Sequence, residues 1–228
     1  MTRPRDRASG LASSPRKLGA RVRVYSTIEI REPRSWKPVD REIARLERYD
    51  SVVFTSATAV TTFLKRVRSR SSLPKTAAVG PATAEALRRH GVEPAWVASR
   101  FTAAALGRRL TGRVLHPASQ PRSPDLAREA RKRGAVVVEP VVYRIVRAAG
   151  AAPPPASDLV TFASAETVRG YVDAAGPAKG AACACIGPVT ARAARAAGFR
   201  VVAQPARYTI PDLLSAILAW HRTKRRRS

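Results

Sequence analysis

Val79-Gly80-Pro81-Ala82-Thr83-Ala84 is the stretch that decides the fold, because a near copy, Ile186-Gly187-Pro188-Val189-Thr190-Ala191, follows it at an offset of 107 residues. Two further motifs repeat in the same order: Phe54-Thr55-Ser56-Ala57 returns as Phe162-Ala163-Ser164-Ala165, and Phe101-Thr102 returns as Tyr208-Thr209. The shared order and the nearly constant spacing indicate two similar α/β halves that derive from one duplicated unit.

A fourth pair of motifs breaks that order. Leu18-Gly19-Ala20 matches Arg133-Gly134-Ala135 at an offset of 115, and the second copy comes after the first set of the other motifs. A chain that crosses between domains explains this most simply. We therefore expect the following bounds: 1–27 plus 147–228 for a discontinuous domain one, 33–142 for domain two, and 28–32 with 143–146 for a two-stranded hinge.

Short apolar runs alternate with segments of helical spacing, which predicts parallel sheets with crossover helices. The expected strands are residues 21–30, 51–55, 76–79, 113–115, 135–146, 159–162, 182–186 and 200–203. The expected helices are residues 39–48, 57–67, 82–90, 102–110, 124–133, 166–174, 189–197 and 210–221. Gly91 and Gly134 are expected to end two of these helices. Polar or Pro-rich loops are expected at 69–74 and 148–157.

The composition excludes several classes of protein. The chain has 228 residues, of which 45% are hydrophobic, and it contains no apolar run long enough to span a bilayer. Its first residues, MTRPRDRASG, lack the apolar segment of a signal peptide. Cys183 and Cys185 should face the same side of a strand as core residues, since a disulfide between them would be strained. A reduced, cytoplasmic setting is expected.

The charge is extreme, with a formal net charge of +26 at pH 7 and a pI near 11.7. One interpretation is a polyanionic partner, which could be a nucleic acid, an acidic membrane or a small molecule with many carboxylates; no membrane partner is expected. The other is a solvated basic surface. Only 6% of the residues are aromatic, and the basic residues form no aromatic-interleaved motif, so nucleic acid is the less favoured partner. The densest basic clusters are 65–70, 128–133 and the tail 224–227.

Each repeated motif places a strand end directly before a helix start. Ser and Thr are favoured N-cap residues, and proline suits the first helical turn. Helix N-termini carry free N–H groups and partial positive charge, so they bind carboxylates or phosphates. The candidate anion-binding residues are Ser56, Gly80, Thr83, Thr102, Ser164, Gly187, Thr190 and Thr209. Ordinary helix capping is the alternative for each residue taken alone.

The repeated motifs, together with Thr2-Arg3-Pro4, Val141-Val142-Tyr143 and Leu213, resemble the uroporphyrinogen-III synthase family over nearly the whole chain. The resemblance implies two flavodoxin-like α/β domains joined by a two-stranded ladder, no cofactor, and a monomeric cytoplasmic enzyme. It also implies a substrate, hydroxymethylbilane, which is a linear tetrapyrrole with eight carboxylates. The implied reaction removes water, inverts the last pyrrole ring and closes the macrocycle to uroporphyrinogen III.

The resemblance assigns roles to particular residues. Tyr143, in the Val-Tyr context of the family, becomes the candidate proton donor to the departing hydroxyl. The Ser and Thr residues at the helix starts become carboxylate binders, while Gly80 and Gly187 would allow close approach to the backbone. The chain contains no metal-ligand motif, nucleotide fingerprint or Ser/His/acid set, which agrees with a cofactor-free reaction. Packing at the hinge is the alternative role for Tyr143.

The three histidines are scattered along the chain. His90 should lie at a helix C-terminus, His116 could face the cleft, and His221 adjoins the basic tail. Three features depart from the family pattern: Pro15 in the expected first helix, an almost absent first strand, and a net charge of +26 that exceeds what an octacarboxylate requires. These features leave open a catalytically degenerate tetrapyrrole-binding or regulatory homologue, and the net charge leaves open a nucleic-acid-associated protein.

Overall fold

The computed structural model describes residues 2, 16, 19–148, 154 and 156–225. These residues belong to two compact units, which we call the outer unit (Met1–Ile30 with Val146–Ser228) and the middle unit (Arg31–Ile145). Several features discussed above lie outside the described residues: Arg3, Pro4, Pro15, Leu18, most of the 148–157 loop and residues 226–228 of the tail.

Strands and helices alternate along the chain. The strands are β1 (Ile28–Arg31), β2 (Ser51–Phe54), β3 (Lys75–Ala78), β4 (Trp96–Val97), β5 (Arg113–Leu115), β6 (Ala118–Gln120), β7 (Val136–Val138), β8 (Val141–Arg147), β9 (Val160–Phe162), β10 (Ala182–Cys185) and β11 (Arg200–Ala203). The helices are α1 (Lys37–Ile43), α2 (Ala57–Leu64), α3 (Pro81–Arg89), α4 (Ala103–Gly107), α5 (Asp125–Arg131), α6 (Ala165–Ala175), α7 (Pro188–Ala196) and α8 (Ile210–Arg225). Gly91 and Gly134 follow α3 and α5 with positive φ, as expected for helix ends.

The middle unit is built on a parallel five-stranded sheet with the order β4-β3-β2-β5-β7. If β5 is counted first and followed by β7, β2, β3 and β4, the spatial order is 2-1-3-4-5, which is the flavodoxin-like order. The strands are thus circularly permuted along the chain, and this explains why the fourth repeat motif comes late. All four residues of β2 are buried, as expected for a central strand covered on both faces.

The outer unit contains a parallel sheet with the order β11-β10-β9. Thr2 extends it, because its backbone N–H and its hydroxyl both donate to the carbonyl of Thr161, at 3.3 Å and 2.7 Å. Thr2 therefore lies beside β9 as β5 lies beside β2. The core of this unit includes Phe162 and Phe199, whose ring centroids are 4.9 Å apart.

A three-stranded sheet has the order β1-β8-β6, and both β1 and β8 contain residues of each unit. β6 runs parallel to β8 with a register shift between Ala118 and Ser119. That the two crossing strands act as a hinge stays a prediction, as do the domain bounds given above.

Cys183 and Cys185 lie on β10 as the sequence predicts, fully buried and facing the same core. Their sulfur atoms are 3.7 Å apart. The hydrogen bond with Cys183 and burial both raise the pKa of the Cys185 thiol, so it stays protonated. These cysteines are core residues.

The expected strand at 21–30 is mostly wrong, because regular strand structure begins only at Ile28. The segment before it packs on α6. Tyr25 makes an edge contact with Tyr171, and the Thr27 hydroxyl donates to the Thr167 carbonyl at 3.2 Å. Gly170 permits this approach, since a Cβ there would lie 2.7 Å from the Thr27 carbonyl oxygen. The alternating sequence pattern of this segment is therefore explained by its contacts with α6 and not by a β-strand.

The expected long strand at 135–146 is two strands in different sheets. β7 is the edge of the five-stranded sheet, and β8 is the centre of the three-stranded one. Glu139 and Pro140 separate them, and proline cannot donate a ladder hydrogen bond. The break places Glu139 at the carboxyl end of β7.

Smaller differences occur elsewhere. The expected helix at 39–48 ends at Ile43, because Arg45 leaves helical geometry with φ −132° and a 3-10 turn at Leu46–Arg48 follows. The short strands β4 and β6 were not predicted. Among the described residues, no helix is both long and apolar enough to cross a bilayer.

Candidate functional site

Ser56 and Ser164 cap the helices that follow β2 and β9, as the sequence predicts. Ser56 Oγ accepts a hydrogen bond from the Ala59 N–H at 3.0 Å. Ser164 forms a capping box with Thr167, in which each side chain accepts from the other residue's backbone N–H at 3.3 Å. Both serines therefore satisfy one free N–H of their helix.

The two Gly-Pro motifs also begin helices. Gly80 and Gly187 are N-cap residues with extended backbone, and each is followed by proline in the first turn. Thr83 and Thr190 lie within these first turns, and each is only 4% exposed. The two copies of the motif therefore have nearly identical local structure.

An aromatic ring lies over each of these glycines. A Cβ at Gly187 would come within 3.1 Å of the Tyr208 ring, and one at Gly80 within 3.4 Å of Phe101. Phe101 has a left-handed backbone with φ 49°. Because Gly80 and Gly187 have no side chain, the repeated aromatic residue can pack closely against their backbone.

Thr102 and Thr209 lie at the start of α4 and α8. Thr102 Oγ1 accepts from the Ala105 N–H at 3.2 Å, and Thr209 Oγ1 accepts from the Asp212 N–H at 3.3 Å. In α8 the Thr209 hydroxyl also donates to the Asp212 carboxylate, which Arg207 approaches at 2.9 Å. The hydrogen bond from Thr209 is the main cause that lowers the pKa of the Asp212 carboxyl group, and the hydrogen bond from Arg207 lowers it further. α4, by contrast, has no acidic residue in its first turn.

Tyr143 meets Ser56 at the carboxyl end of β2. Its phenolic oxygen lies 3.0 Å from Ser56 Oγ, and the tyrosine is only 7% exposed. Tyr143 comes from β8 and Ser56 from the start of α2, so two separate elements of the middle unit create the pair. The sequence named both residues but did not predict their contact.

A second polar chain lies at the same sheet edge. His116 Nε2 is 3.1 Å from Thr55 Oγ1, and His116 Nδ1 is 3.1 Å from Glu139 Oε1. Arg122 and Arg131 approach the Glu139 carboxylate at 3.5 Å and 3.7 Å. The hydrogen bond with His116 is the main cause that lowers the pKa of Glu139. Thr55, His116 and Glu139 directly follow β2, β5 and β7, whose carboxyl ends share this edge.

Sequence reasoning missed Glu139 and the role of Thr55. The signal available for Glu139 was a single charged residue inside the apolar run Val136-Val137-Val138-Glu139-Pro140-Val141-Val142. For Thr55, the signal was its replacement by alanine in the second copy of the motif. His90, which was expected at a helix C-terminus, does follow α3, and His221 lies exposed in α8.

Two of the basic clusters are partly neutralised by neighbouring acids. Arg66 makes two 2.7 Å bonds with Asp40, and Lys132 lies 3.0 Å from Glu129. A surface groove of about 780 Å³ borders Arg66 at the C-terminal end of α2, the end opposite Ser56. The groove is therefore separate from the polar residues around Tyr143. Within the described ranges, no three His, Cys, Asp or Glu side chains are grouped so that they could hold a metal ion.

Comparisons with known proteins agree with this architecture. Residues 9–215 match the family model described as uroporphyrinogen-III synthase HemD. The uroporphyrinogen-III synthase of Synechococcus elongatus is 30% identical over 97% of this chain and 94% of its own length. Its likeness extends through both units.

Two solved structures share the fold. A mutant uroporphyrinogen III synthase from Thermus thermophilus superposes with a TM-score of 0.70 at 17% identity, covering 96% of this chain and 97% of that one. The uroporphyrinogen-III synthetase of Helicobacter pylori gives 0.61 at 16% identity, covering 88% and 95%. The chain adopts their two-domain α/β fold and, by the family match, belongs to the uroporphyrinogen-III synthase family.

Proposed function

We propose that this protein is a uroporphyrinogen-III synthase, a hydro-lyase of tetrapyrrole biosynthesis. It would convert hydroxymethylbilane to uroporphyrinogen III, with loss of water and inversion of the last pyrrole ring. The observation that carries the proposal is the family match over residues 9–215. The polar groups at the carboxyl edge of the middle sheet supply candidates for the chemistry.

Tyr143 is the proposed proton donor to the departing hydroxyl. A hydroxyl has one donor and two acceptor positions, and Ser56 already accepts from the Ala59 N–H. If Ser56 donates its own proton to the phenolic oxygen, the Tyr143 proton is free to point at the substrate. The same bond stabilises the phenolate that remains when the proton leaves with the hydroxyl as water.

The proposed carboxylate binders are the helix starts. In the middle unit they are Ser56, Gly80, Thr83 and Thr102, and in the outer unit Ser164, Gly187, Thr190 and Thr209. Free N–H groups and the positive end of the helix dipole favour anions at each of them. A substrate with eight carboxylates needs many such donors, and the net charge of +26 helps to gather it.

The role of the buried threonines is open to a direct kinetic test. Thr83→Ala and Thr190→Ala should each raise KM about threefold to tenfold with little change in kcat. A lost carboxylate contact weakens the binding of the substrate ground state and of the transition state equally. Steady-state kinetics on both variants, with melting temperatures as control, measure this. An unchanged KM in both would assign these hydroxyls to the helix turns alone.

The function itself is tested by a coupled assay that supplies freshly generated hydroxymethylbilane and resolves the uroporphyrin isomers after oxidation. Predominantly isomer III, formed above the uncatalysed rate, supports the synthase. Only isomer I, formed at the uncatalysed rate by folded protein, overturns it and favours a homologue that binds tetrapyrroles without turnover.

Three finer properties belong to the same proposal: a monomer, a cytoplasmic location and independence from any cofactor. Light scattering on the purified chain tests the first. Retention of turnover after exhaustive dialysis against a chelator tests the third. Salt-dependent binding to DNA that survives removal of residues 224–228 would instead support a nucleic-acid partner.

A further inference from the structure

Among the residues that the structure describes, a chain of hydrogen bonds from Glu139 through His116 to Thr55 occurs in the middle unit alone. Its central residue is almost completely enclosed, with His116 only 2% exposed. The Glu139 side chain is 11% exposed, and Thr55 is half-buried at the end of β2. The repeat has Ala163 where the middle unit has Thr55, so the outer unit lacks the hydroxyl that ends this chain.

The donor and acceptor roles follow from the chemistry of the groups. The pKa of Glu139 is lowered, so the carboxylate is ionised near neutral pH and can only accept. His116 Nδ1 must then carry a proton and donate it. In the neutral imidazole this leaves Nε2 as an acceptor, and Thr55 has to donate to it. The Thr55 proton is thereby directed inward, and the remaining lone pair of its oxygen is available for another donor.

We propose that Glu139 and His116 are positioning residues that make Thr55 a hydrogen-bond acceptor for a pyrrole N–H of the substrate. This inference rests on the proposed function for the identity of the ligand. The helix starts offer donors, which suit the carboxylates of a tetrapyrrole. The same molecule also carries N–H groups, and these need an acceptor. Thr55, held in this direction, supplies one at the sheet edge where Tyr143 meets Ser56.

Among the described residues, the charged groups at His116 form one small cluster. Glu139 Oε1 contacts Nδ1, Arg122 approaches the same oxygen at 3.5 Å, and Arg131 approaches Oε2 at 3.7 Å. The two guanidinium groups help to hold the Glu139 carboxylate in place. A carboxylate that orients a histidine and fixes its tautomer is a recurring device in enzymes and metal sites.

The key variants separate positioning from packing. Thr55→Val removes the hydroxyl at nearly equal volume. In His116→Gln the amide nitrogen or oxygen can take the place of Nε2 beside Thr55, whereas in His116→Asn the shorter amide can reach only the Glu139 side. If the imidazole positions Thr55, we expect Thr55→Val and His116→Asn to lower kcat/KM about tenfold and His116→Gln to recover part of the loss. The double variant Thr55→Val/His116→Asn should be no worse than either single one.

Binding is measured independently of turnover. Isothermal titration calorimetry with uroporphyrinogen III, kept reduced under anaerobic conditions, should give a Kd about tenfold weaker for Thr55→Val than for the wild type. Equal Kd and kinetics in the wild type, Thr55→Val and His116→Asn, at temperatures well below melting, would overturn the proposal. If the wild type forms only isomer I, the proposed synthase function fails, whereas the Kd comparison still decides the role of Thr55.

A spectroscopic readout tests the positioning step itself. The chain has only three histidines, so ¹⁵N-labelled histidine gives signals that His116→Gln can assign. At about pH 8 we expect the Nδ1–H tautomer for His116. Glu139→Gln should shift that signal away from the wild-type position. A wild-type His116 in the Nε2–H tautomer would make Thr55 the acceptor of the imidazole proton and would overturn the proposal.

Discussion

The middle and outer units share their helix starts but differ in the polar groups behind them. Ser56 and Ser164, Gly80 and Gly187, and Thr102 and Thr209 occupy equivalent places, and the serines and threonines accept equivalent backbone hydrogen bonds. Within the described parts of both units, the serine cap of the middle unit is the one that also forms a hydrogen bond with a tyrosine. The repeated helix starts are thus common to both units, whereas the Ser56–Tyr143 contact that we propose for proton transfer lies in the middle unit.

The two units also treat their last helix start differently. In the outer unit, Asp212 places a carboxylate of the protein itself at the start of α8, held by Thr209 and Arg207. In the middle unit, α4 has no such acid. A helix start that already holds a carboxylate has less to offer an anionic ligand. The comparison therefore favours the middle unit for the reacting end of the substrate.

The largest expected effect comes from Tyr143→Phe. Removing the proposed proton donor should lower kcat by about a hundredfold or more while changing the melting temperature little. The matched control is Tyr49→Phe, which removes another buried phenol of the middle unit, bonded to Glu42 at 2.6 Å. We expect that variant to retain turnover. Wild-type kcat in Tyr143→Phe would remove the tyrosine from the mechanism and weaken the contrast between the units.

Ser56→Ala and Ser164→Ala compare the two units directly. Both lose a helix cap, so both should be destabilised by about 1 kcal/mol. Only Ser56→Ala also loses the contact with Tyr143, and we expect its kcat to fall about tenfold further than that of Ser164→Ala. Kinetics and denaturant unfolding on the pair measure both quantities. Equal kcat values in the two variants would show that Ser56 acts only as a cap.

Gly187→Ala and Gly80→Ala test the packing of the repeated aromatic residues. The new methyl group would meet Tyr208 more tightly than Phe101, at 3.1 Å against 3.4 Å. Overpacking of this kind costs on the order of 1–3 kcal/mol, so Gly187→Ala should lower the free energy of unfolding more than Gly80→Ala. Both glycines have extended backbone, which adds no strain of its own. The reverse ranking would mean that the Tyr208 ring moves aside freely.

The smallest expected effect is a pH dependence in the middle unit. Because the folded-state pKa of Glu139 is below the ordinary value of 4.5, its contribution to stability is complete above that pH and is lost as the pH falls through the lower folded value. Glu139→Gln should therefore be less stable than the wild type at pH 7, on the order of 1 kcal/mol. The difference should shrink toward pH 3. Thermal melts of both proteins across this range measure it, and a constant difference would contradict the assignment.

Several features of the fold could be predicted from the sequence because they depend on neighbouring residues. The caps at Ser56, Ser164 and Thr102 link atoms only three residues apart, so the motif itself specifies them. The apolar run of β2 indicated a buried strand for the same reason. The predictions for 21–27 and 135–146 were wrong for different reasons. Residues 21–27 pack against a helix instead of forming a strand, and the apolar run 135–146 is divided between two sheets.

By itself, the sequence determined the duplication, the alternation of strands and helices, the capped helix starts and the family, because each is a local or repeated pattern. Only the tertiary structure decided which distant side chains meet. Tyr143 is 87 residues from Ser56, His116 is 61 from Thr55, and Glu139 is 23 from His116. No periodicity specifies such pairs. Thr55, His116 and Glu139 meet because parallel strands bring their carboxyl ends to one edge of a sheet, whereas Tyr143 reaches Ser56 from β8, a strand of a different sheet.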